Sequence, residues 1–188
     1  MCNLYRLEKA PDTLRRAFEP MLVFPEGVPN VQPRDVRITE LAPIVRAGPA
    51  GPEMVQRRWS WPGANGKPVY NFRSEGREFG GGRCLIVADG FYEYTAPAEP
   101  GRKRKDRWLF TLPGEDGFAI AGIVRDQSGI GEAFTMLTTA PGPDVAPYHK
   151  RQIAVLTWAE WAAWLDPSVP AGDLLRPLPG GTLAVEPA

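Results

Sequence analysis

Short apolar segments separated by Pro, Gly and charged residues make up most of this chain. Residues 84–88 and 118–124 are nearly continuous apolar runs of strand length, a pattern that indicates buried β-strands. By the same reasoning we predict further strands at residues 42–46, 54–59, 108–112, 134–139 and 153–156. The strands do not alternate with helical patterns, so a mainly antiparallel sheet is expected.

Two helices are predicted beside these strands. The first covers residues 12–18, with Asp12 as its N-cap. The second begins at Thr157, because Thr157 and Glu160 have the spacing of a capping box. Its apolar face is formed by Trp158, Trp161 and Leu165.

These elements favour an α+β fold: a single domain over residues 1–188 with a mainly antiparallel, barrel-like β-sheet and a few peripheral helices. The core is expected within residues 2–165, followed by a loop-rich C-terminal tail at 166–188. Residues 19–52 are also predicted to be rich in loops, since they contain seven prolines. The whole chain has 21 Pro and 20 Gly residues, which fits many short elements joined by tight turns.

The composition excludes several classes of protein. No run reaches the roughly 18 apolar residues of a membrane span, and the N-terminus lacks the apolar stretch of a signal peptide. Two Cys residues cannot build a disulfide framework, and a single His argues against a His-rich metal site. The cytoplasm is therefore the expected location.

The net charge is zero, with 22 basic and 22 acidic residues. Because affinity for nucleic acids comes largely from neutralising phosphates, a DNA-binding function would have to depend on local patches. One such patch is the run Arg102-Lys103-Arg104-Lys105, followed by Arg107. This run is either a solvated hairpin loop or a phosphate contact.

Cys2 has a chemistry that an internal cysteine lacks. Met1 before a small second residue is normally removed during synthesis, which would leave Cys2 with a free α-amine beside its thiol. The amine can condense with an aldehyde to an imine, and the thiolate can then close a five-membered thiazolidine. Both groups titrate near neutrality, the amine at about pH 8 and the thiol at about 8.5. The alternative is that a cysteine stands at position 2 by chance.

Two polar clusters add further candidate side chains. The segment Asn71-Phe72-Arg73-Ser74-Glu75 offers a neutral amide and a guanidinium suited to phosphate, although a hydrogen-bonded turn is an alternative. The segment Gly90-Phe91-Tyr92-Glu93-Tyr94 places Glu93 among aromatic residues. Burial there would raise the pKa of the Glu93 carboxyl and suit it to acid–base catalysis. The alternative is an exposed glutamate at a strand end.

His149 is the single histidine, and it lies beside two cations in Tyr148-His149-Lys150-Arg151. It follows a strand end that runs into the loop Ala140-Pro141-Gly142. An imidazole in this setting can meet an anion or shuttle protons. A structural or merely exposed histidine is the alternative.

In this order the four signals resemble the SRAP family (SOS-response-associated peptidase), the abasic-site processing proteins. The family's initiator Met-Cys is similar to Met1-Cys2, and its Asn-x-Arg-x-Glu motif to the segment from Asn71 to Glu75. Its Gly-Phe-Tyr-Glu-Trp motif resembles the segment that ends at Tyr94, and its late His-x-Arg resembles His149-Lys150-Arg151. The tryptophan-containing segment of the family is similar to Arg58-Trp59-Ser60-Trp61-Pro62. The likeness extends over residues 2–165.

Three positions depart from the family pattern. The usual Cys-Gly-Arg opening is Cys2-Asn3-Leu4 here, so an early arginine contact is missing or is supplied elsewhere, for example by Arg6. The Met-Pro that usually follows the His-x-Arg is Gln152-Ile153, and Tyr94 replaces Trp. None of these changes removes a candidate catalytic group, but they affect local geometry and DNA contacts.

The resemblance implies a sensor of abasic sites in single-stranded DNA that crosslinks itself to the lesion. Cys2 would supply the amine and the thiolate. Glu93 would donate and accept protons, while His149 would assist opening of the sugar ring and hold the sugar or its phosphate. Asn71 would position Cys2 and the lesion by neutral hydrogen bonds. No metal or organic cofactor is implied, and a monomer is expected.

The resemblance also implies a set of DNA contacts. Arg73 would bind phosphates, and Trp59 and Trp61 would either stack on bases flanking the lesion or lie in the core. Further contacts with DNA are expected from Pro33, Arg34, Arg58, Arg77 and Thr138.

Two other functions remain open. An N-terminal-nucleophile hydrolase or peptidase would use Cys2 to attack an amide, with autoproteolytic removal of Met1. A non-catalytic module that binds single-stranded nucleic acid would leave Cys2 incidental, although the zero net charge speaks against it. An aldehyde-bearing oligonucleotide tested beside a peptide amide separates all three functions.

Overall fold

The structure is a computed structural model that describes residues 1–8 and 21–188. The helix predicted at residues 12–18 therefore lies outside the described residues. The described helices are α1 (Trp158–Leu165) and α2 (Ala171–Leu174). The described strands are β1 (Leu4–Leu7), β2 (Arg34–Arg37), β3 (Leu41–Gly48), β4 (Gly51–Trp59), β5 (Trp61–Pro62), β6 (Pro68–Val69), β7 (Asn71–Arg73), β8 (Arg83–Ala88), β9 (Gly90–Thr95), β10 (Asp106–Thr111), β11 (Phe118–Gln127), β12 (Gly131–Thr139), β13 (Gln152–Ile153), β14 (Val155–Leu156) and β15 (Ala184–Pro187).

A closed five-stranded barrel forms the centre of the fold. Its strands follow the order β12-β4-β3-β8-β11, and β11 pairs with β12 to complete the ring. Every pairing in the ring is antiparallel except that of β12 with β4, which is parallel. The predicted α+β class with a mainly antiparallel, barrel-like sheet is confirmed.

Helix α1 covers the barrel at β8. All six residues of β8 are buried, as expected for an apolar strand covered on both faces. The indole Nε1 of Trp164 donates a 2.9 Å hydrogen bond to the carbonyl oxygen of Cys84, and the guanidinium of Arg83 lies 4.7 Å from the Trp164 ring. The predicted start of α1 is also confirmed, because the Thr157 backbone N–H donates to Glu160 Oε2 at 2.9 Å.

A second sheet, in the order β15-β10-β9-β1-β2, packs beside the barrel. Phe91 and Phe110 stack on its inner face with ring centroids 4.8 Å apart, and Phe118 of the barrel meets Phe91 edge to face at 6.3 Å. In this sheet β1 pairs with both β2 and β9. The N-terminal residues are thereby held beside β9.

Three predicted segments differ from the structure. Residues 153–156 form parts of two strands rather than one strand. Strand β13 pairs with β12, and β14 pairs with β11. The segment therefore lies between β12 and β11 where these two strands diverge. Residues 19–52 contain β2 as well as β3. The tail at 166–188 contains α2 and also β15, which adds an edge strand to β10.

Candidate active site

A pocket of about 520 Å³ opens where the N-terminus meets β9. Its wall is formed by Met1, Asn3, Tyr70, Glu93, Tyr94, Arg104, Lys105, Arg107 and His149. Strand β1 directs the residues before Leu4 into this pocket, because it pairs with β9 through Tyr5 opposite Phe91. Residues that are far apart in the sequence, from Met1 to His149, therefore share one concave surface.

The terminal amino group contacts two of the predicted catalytic side chains. The Met1 nitrogen lies 2.7 Å from Nε2 of His149 and 3.2 Å from Oε2 of Glu93. The other ring nitrogen of His149, Nδ1, lies 2.9 Å from the carbonyl oxygen of Arg151. The backbone N–H of Arg151 also donates to Nδ1 at 3.0 Å, so the backbone of Arg151 holds this ring nitrogen while Nε2 faces the terminal amino group.

Glu93 lies in the interior of β9, opposite Trp108 of β10, and only 1% of its surface is exposed. Burial raises the pKa of its carboxyl because the charged form loses its hydration. The terminal ammonium, His149 and the backbone N–H of Cys2 partly offset this effect by favouring the carboxylate. The expectation of a raised pKa is confirmed, and Glu93 can hold a proton at higher pH than an exposed glutamate.

The thiol of Cys2 is covered. Its sulfur donates to the carbonyl oxygen of Leu4 at 3.2 Å, and the residue is 1% exposed. Burial, and secondarily the charge of Glu93, raises the pKa of the Cys2 thiol to about 12. In the chain that begins with Met1, the thiol is therefore protonated at neutral pH.

Asn71 holds the backbone of Cys2. Strand β7 pairs in parallel with β12, with Asn71 opposite Met136, and this pairing carries Asn71 to the N-terminus. The side-chain Nδ2 of Asn71 donates a 2.8 Å hydrogen bond to the carbonyl oxygen of Cys2. Its Oδ1 is buried and has no hydrogen-bond partner among the described residues, so one acceptor remains beside Cys2.

A pair of charged residues links the Asn-x-Arg-x-Glu motif to the His-x-Arg motif. Both terminal guanidinium nitrogens of Arg151 donate to the carboxylate of Glu75, and Nη2 also donates to the Thr138 carbonyl at 2.8 Å and to its Oγ1 at 2.9 Å. Arg151 lowers the pKa of the Glu75 carboxyl. The backbone of the same Arg151 holds His149, so this pair positions the imidazole. The sequence assigned no role to either residue, although both occupy fixed places in the motifs.

The two predicted tryptophans lie in the core. Trp59 is fully buried, its ring is parallel to that of Phe134 at 6.5 Å, and its Nε1 donates to the Tyr70 carbonyl at 2.9 Å. Trp61 is 7% exposed and has the guanidinium of Arg125 5.6 Å from its ring. Stacking of Trp59 on a base is therefore not supported, because its ring has no exposed face.

Two further residues expected to contact DNA already have partners within the protein. Thr138 is 2% exposed and its hydroxyl accepts from Arg151, so it supports the site from within and presents no surface to DNA. Arg6, the expected source of an early arginine contact, donates through its Nε to Oδ1 of Asp89 at 2.5 Å, and its contact with DNA stays a prediction.

The remaining expected DNA contacts are accessible to different degrees. Pro33, Arg34, Arg73 and Arg77 are exposed, and Arg58 is half-buried. Arg34 donates to Glu40 at 2.8 Å, and the guanidinium of Arg77 lies 4.9 Å from the ring of Phe72. Of these five residues none lines the pocket. Arg73, on the same short strand as Asn71, is the one most directly tied to the site.

In the part of the chain that the structure describes, no cluster of three or more His, Cys, Asp or Glu side chains is placed to hold a metal ion. None of the described helices has the length and apolar character needed to cross a membrane.

A family model described as SOS response associated peptidase (SRAP) matches residues 1–188. No curated protein matches the chain. Among solved structures, a protein from Bordetella bronchiseptica is 22% identical, with 100% of this chain and 99% of that chain covered and a TM-score of 0.74. A phage-related protein from the same organism is 18% identical, with 100% and 94% covered and a TM-score of 0.76. A protein from Bacteroides thetaiotaomicron is 17% identical, with 99% and 91% covered and a TM-score of 0.76. At these identities the structures share the fold.

Proposed function

The chain belongs to the SOS response associated peptidase (SRAP) family, and from this membership and the geometry of the pocket we propose that it captures abasic sites in single-stranded DNA as a thiazolidine on Cys2. The family name associates the chain with the SOS response to DNA damage. One observation carries the proposal: the terminal amino group, Glu93 and His149 meet in a single pocket.

Removal of Met1 would create the reactive amine in the right place. In the chain with Met1, the nitrogen of Cys2 is an amide whose N–H already favours the charged form of Glu93. Without Met1 that nitrogen becomes the terminal amine, still beside Glu93 and still fixed through the Asn71 bond to the Cys2 carbonyl. The volume vacated by Met1 is then available to the sugar.

Capture follows from the groups at hand. An abasic sugar is mostly a closed hemiacetal, and protonated Glu93 would donate to the ring oxygen as the ring opens to the aldehyde. The Cys2 amine would attack C1′, and loss of one water would give the imine. The S–H of Cys2 would then add across the C=N bond, with sulfur bonding to C1′ and the proton ending on nitrogen. Aldehyde and aminothiol thus yield one thiazolidine and one water.

The order of these steps agrees with the acidity of the thiol. A sulfur whose pKa is raised to about 12 is a poor first nucleophile, because its thiolate is scarce at neutral pH. After imine formation the sulfur and C1′ belong to one molecule, and an effective molarity of up to about 10⁵–10⁸ M compensates for the scarce thiolate. In the chain that begins with Met1, the same acidity argues against autoproteolytic removal of Met1, in which the thiolate must attack an amide first.

The test is the intact mass of the purified protein before and after incubation with single-stranded DNA carrying an abasic site, with a peptide amide tested in parallel. We expect the protein to lack Met1 and to gain the mass of the oligonucleotide less one water. Hydrolysis of the amide without an adduct would indicate the peptidase. Salt-sensitive binding alone would indicate a non-catalytic module, and either result would contradict the proposal.

A further inference from the structure

We propose that Arg104 and Lys105, on the loop between β9 and β10, form a phosphate subsite that binds a phosphate flanking the captured sugar. This inference rests on the proposed function and adds to it the part of the substrate that the loop would recognise.

The loop is placed over the reacting groups by its own hairpin. Strands β9 and β10 pair in antiparallel register from Phe91 opposite Phe110 to Thr95 opposite Asp106. Glu93 lies on one strand of this hairpin, and the chain returns through Arg104 and Lys105 to the wall of the same pocket. Glu93 and the two cations therefore belong to one hairpin.

The cations on this loop differ in whether they form a salt bridge. Arg102 is paired with Asp106 at 3.1 Å. Asp106 also accepts from the backbone N–H of Ala98 at 2.8 Å, and this bond, which does not involve Arg102, fixes the base of the loop. Neither Arg104 nor Lys105 forms a salt bridge with any carboxylate in residues 1–8 and 21–188. Their charges are available to a ligand.

The pocket as a whole favours an anion. Arg104, Lys105 and Arg107 line it, and Glu93 is its single carboxylate. The guanidinium of Arg107 is held 4.9 Å from the ring of Tyr92, so this third charge is fixed at the rim. His149 and the terminal amine lie on the same wall. An aldehyde sugar with an attached phosphate fits this distribution, because its carbonyl would meet the amine while its phosphate meets the loop.

A local patch of this kind also reconciles DNA binding with a net charge of zero. Phosphate contacts depend on where cations stand relative to the strand, and the total charge of the protein does not measure that.

The first experiment uses a matched pair of double variants on the same loop. R104A/K105A removes the two pocket-lining cations, and R102A/K103A removes two cations that do not line the pocket. Equilibrium binding to a single-stranded oligonucleotide with a tetrahydrofuran abasic analogue, which has no aldehyde, is measured at several salt concentrations. Each lost phosphate contact lowers the slope of log K against log salt by about 0.7 on single strands. We expect R104A/K105A to lose about 0.7–1.4 of slope and R102A/K103A to lose clearly less.

A slope for R104A/K105A equal to that of the parent would overturn the subsite, and so would an equal loss in both variants. This readout needs no covalent chemistry. If the parent binds the analogue but forms no adduct with a true abasic site, the proposed function fails while the subsite is still tested.

The second experiment asks which phosphate the loop binds. Adduct formation by the parent is timed with 2-deoxyribose, 2-deoxyribose 5-phosphate and 2-deoxyribose 3-phosphate. We expect one phosphorylated sugar to react faster than the plain sugar. The ratio of the rate with that phosphorylated sugar to the rate with 2-deoxyribose should fall toward one in R104A/K105A. In R102A/K103A the same ratio should stay at the parent's value. The preferred isomer identifies the flank of the lesion. Equal rates for all three sugars in the parent would contradict a phosphate subsite.

Discussion

The side-chain amide of Asn71 donates a 2.8 Å hydrogen bond to the carbonyl oxygen of Cys2, across 69 positions of sequence. Because β7 holds Asn71 against β12, this bond attaches the first residues of the chain to the barrel. The nitrogen that would become the reactive amine is therefore fixed on one side by Asn71 and faces Glu93 on the other. Under the proposed mechanism, loss of the Cys2 nucleophile would abolish the adduct, whereas loss of a proton donor would only slow its formation.

Replacement of Cys2 tests the nucleophile. Cys2→Ala should abolish the stable adduct with abasic DNA, because the thiazolidine cannot close without sulfur. Cys2→Ser keeps the terminal amine and should still be trapped as an imine under reduction. Cys84→Ala is the control, since Cys84 is buried in β8 and its carbonyl bond to Trp164 survives the change. Intact mass measures all three, and full crosslinking by Cys2→Ala would refute the aminothiol mechanism.

Replacement of Glu93 tests the proton donor. Glu93→Gln preserves shape but cannot donate a carboxylic proton, so crosslinking should slow by about 10²–10⁴ and still reach the thiazolidine on long incubation. Since burial raises the pKa of Glu93, the rate of crosslinking by the parent should fall as the pH rises through that pKa. This fall in rate with pH should be absent in Glu93→Gln. Time courses of adduct formation from about pH 5 to 9 check both points. A parental rate and pH profile in Glu93→Gln would remove Glu93 from the mechanism.

The same substitution should make the protein more stable at neutral pH. A carboxyl whose pKa is raised on folding binds its proton more tightly in the folded state, so stability falls as pH rises from the unfolded to the folded pKa. Glu93→Gln removes this cost, and its melting temperature should exceed that of the parent at pH 7 but not below about pH 4.

Glu75→Gln is the control of opposite sign, because Arg151 lowers the pKa of Glu75. Glu75 stabilises the folded protein at pH values above the pKa that its carboxyl has in the unfolded chain. This stabilisation is lost as the pH falls through the lower pKa of Glu75 in the folded protein. Because the side chain of Glu75 is 47% exposed, its contribution to the free energy of unfolding is at most about 1 kcal/mol. Equal melting temperatures for the parent and Glu93→Gln at pH 7 would contradict the raised pKa.

His149 should affect the forward reaction and its reversal. Nε2 of the imidazole lies 2.7 Å from the Met1 nitrogen, and the backbone of Arg151 holds Nδ1. His149→Ala should slow crosslinking, and it should also slow release of DNA from the preformed adduct if the imidazole helps to reopen the ring. Adduct decay after dilution measures the second effect. Unchanged formation and decay would leave His149 with a structural role only.

Arg73 should bind a phosphate outside the pocket. It is exposed at the end of β7, two residues beyond Asn71. Arg73→Ala should weaken binding to single-stranded DNA and flatten the salt dependence by about one phosphate contact, or about 0.7 in slope. Binding equal to that of the parent at every salt concentration would show that Arg73 is structural.

The barrel was predictable because its strands contain their own apolar runs, as β8 and β11 illustrate. Strand β2, Arg34–Arg37, has one buried residue and little apolar pattern, and it acquires its structure from pairing with β1. Local sequence does not encode such pairing, so β2 was missed.

The sequence motifs named residues that the structure brings together, but they did not reveal the residues that support them. Ordered motifs identified Cys2, Asn71, Glu93 and His149, whose distances depend on the tertiary fold alone. The link between Glu75 and Arg151 joins residues 76 positions apart, and neither side chain carries a local signal of its partner. Trp59 was ambiguous because an aromatic residue suits both a core and a base stack, and only its burial decides between them.

The burial of the Cys2 sulfur also bears on oxidation. Peroxides and related oxidants attack thiolates, and they convert accessible ones to sulfenic acid and then to irreversible products. A sulfur that is 1% exposed and protonated at neutral pH is a poor target for them. In the chain that begins with Met1, the thiol is therefore shielded from such oxidants by its position just before β1.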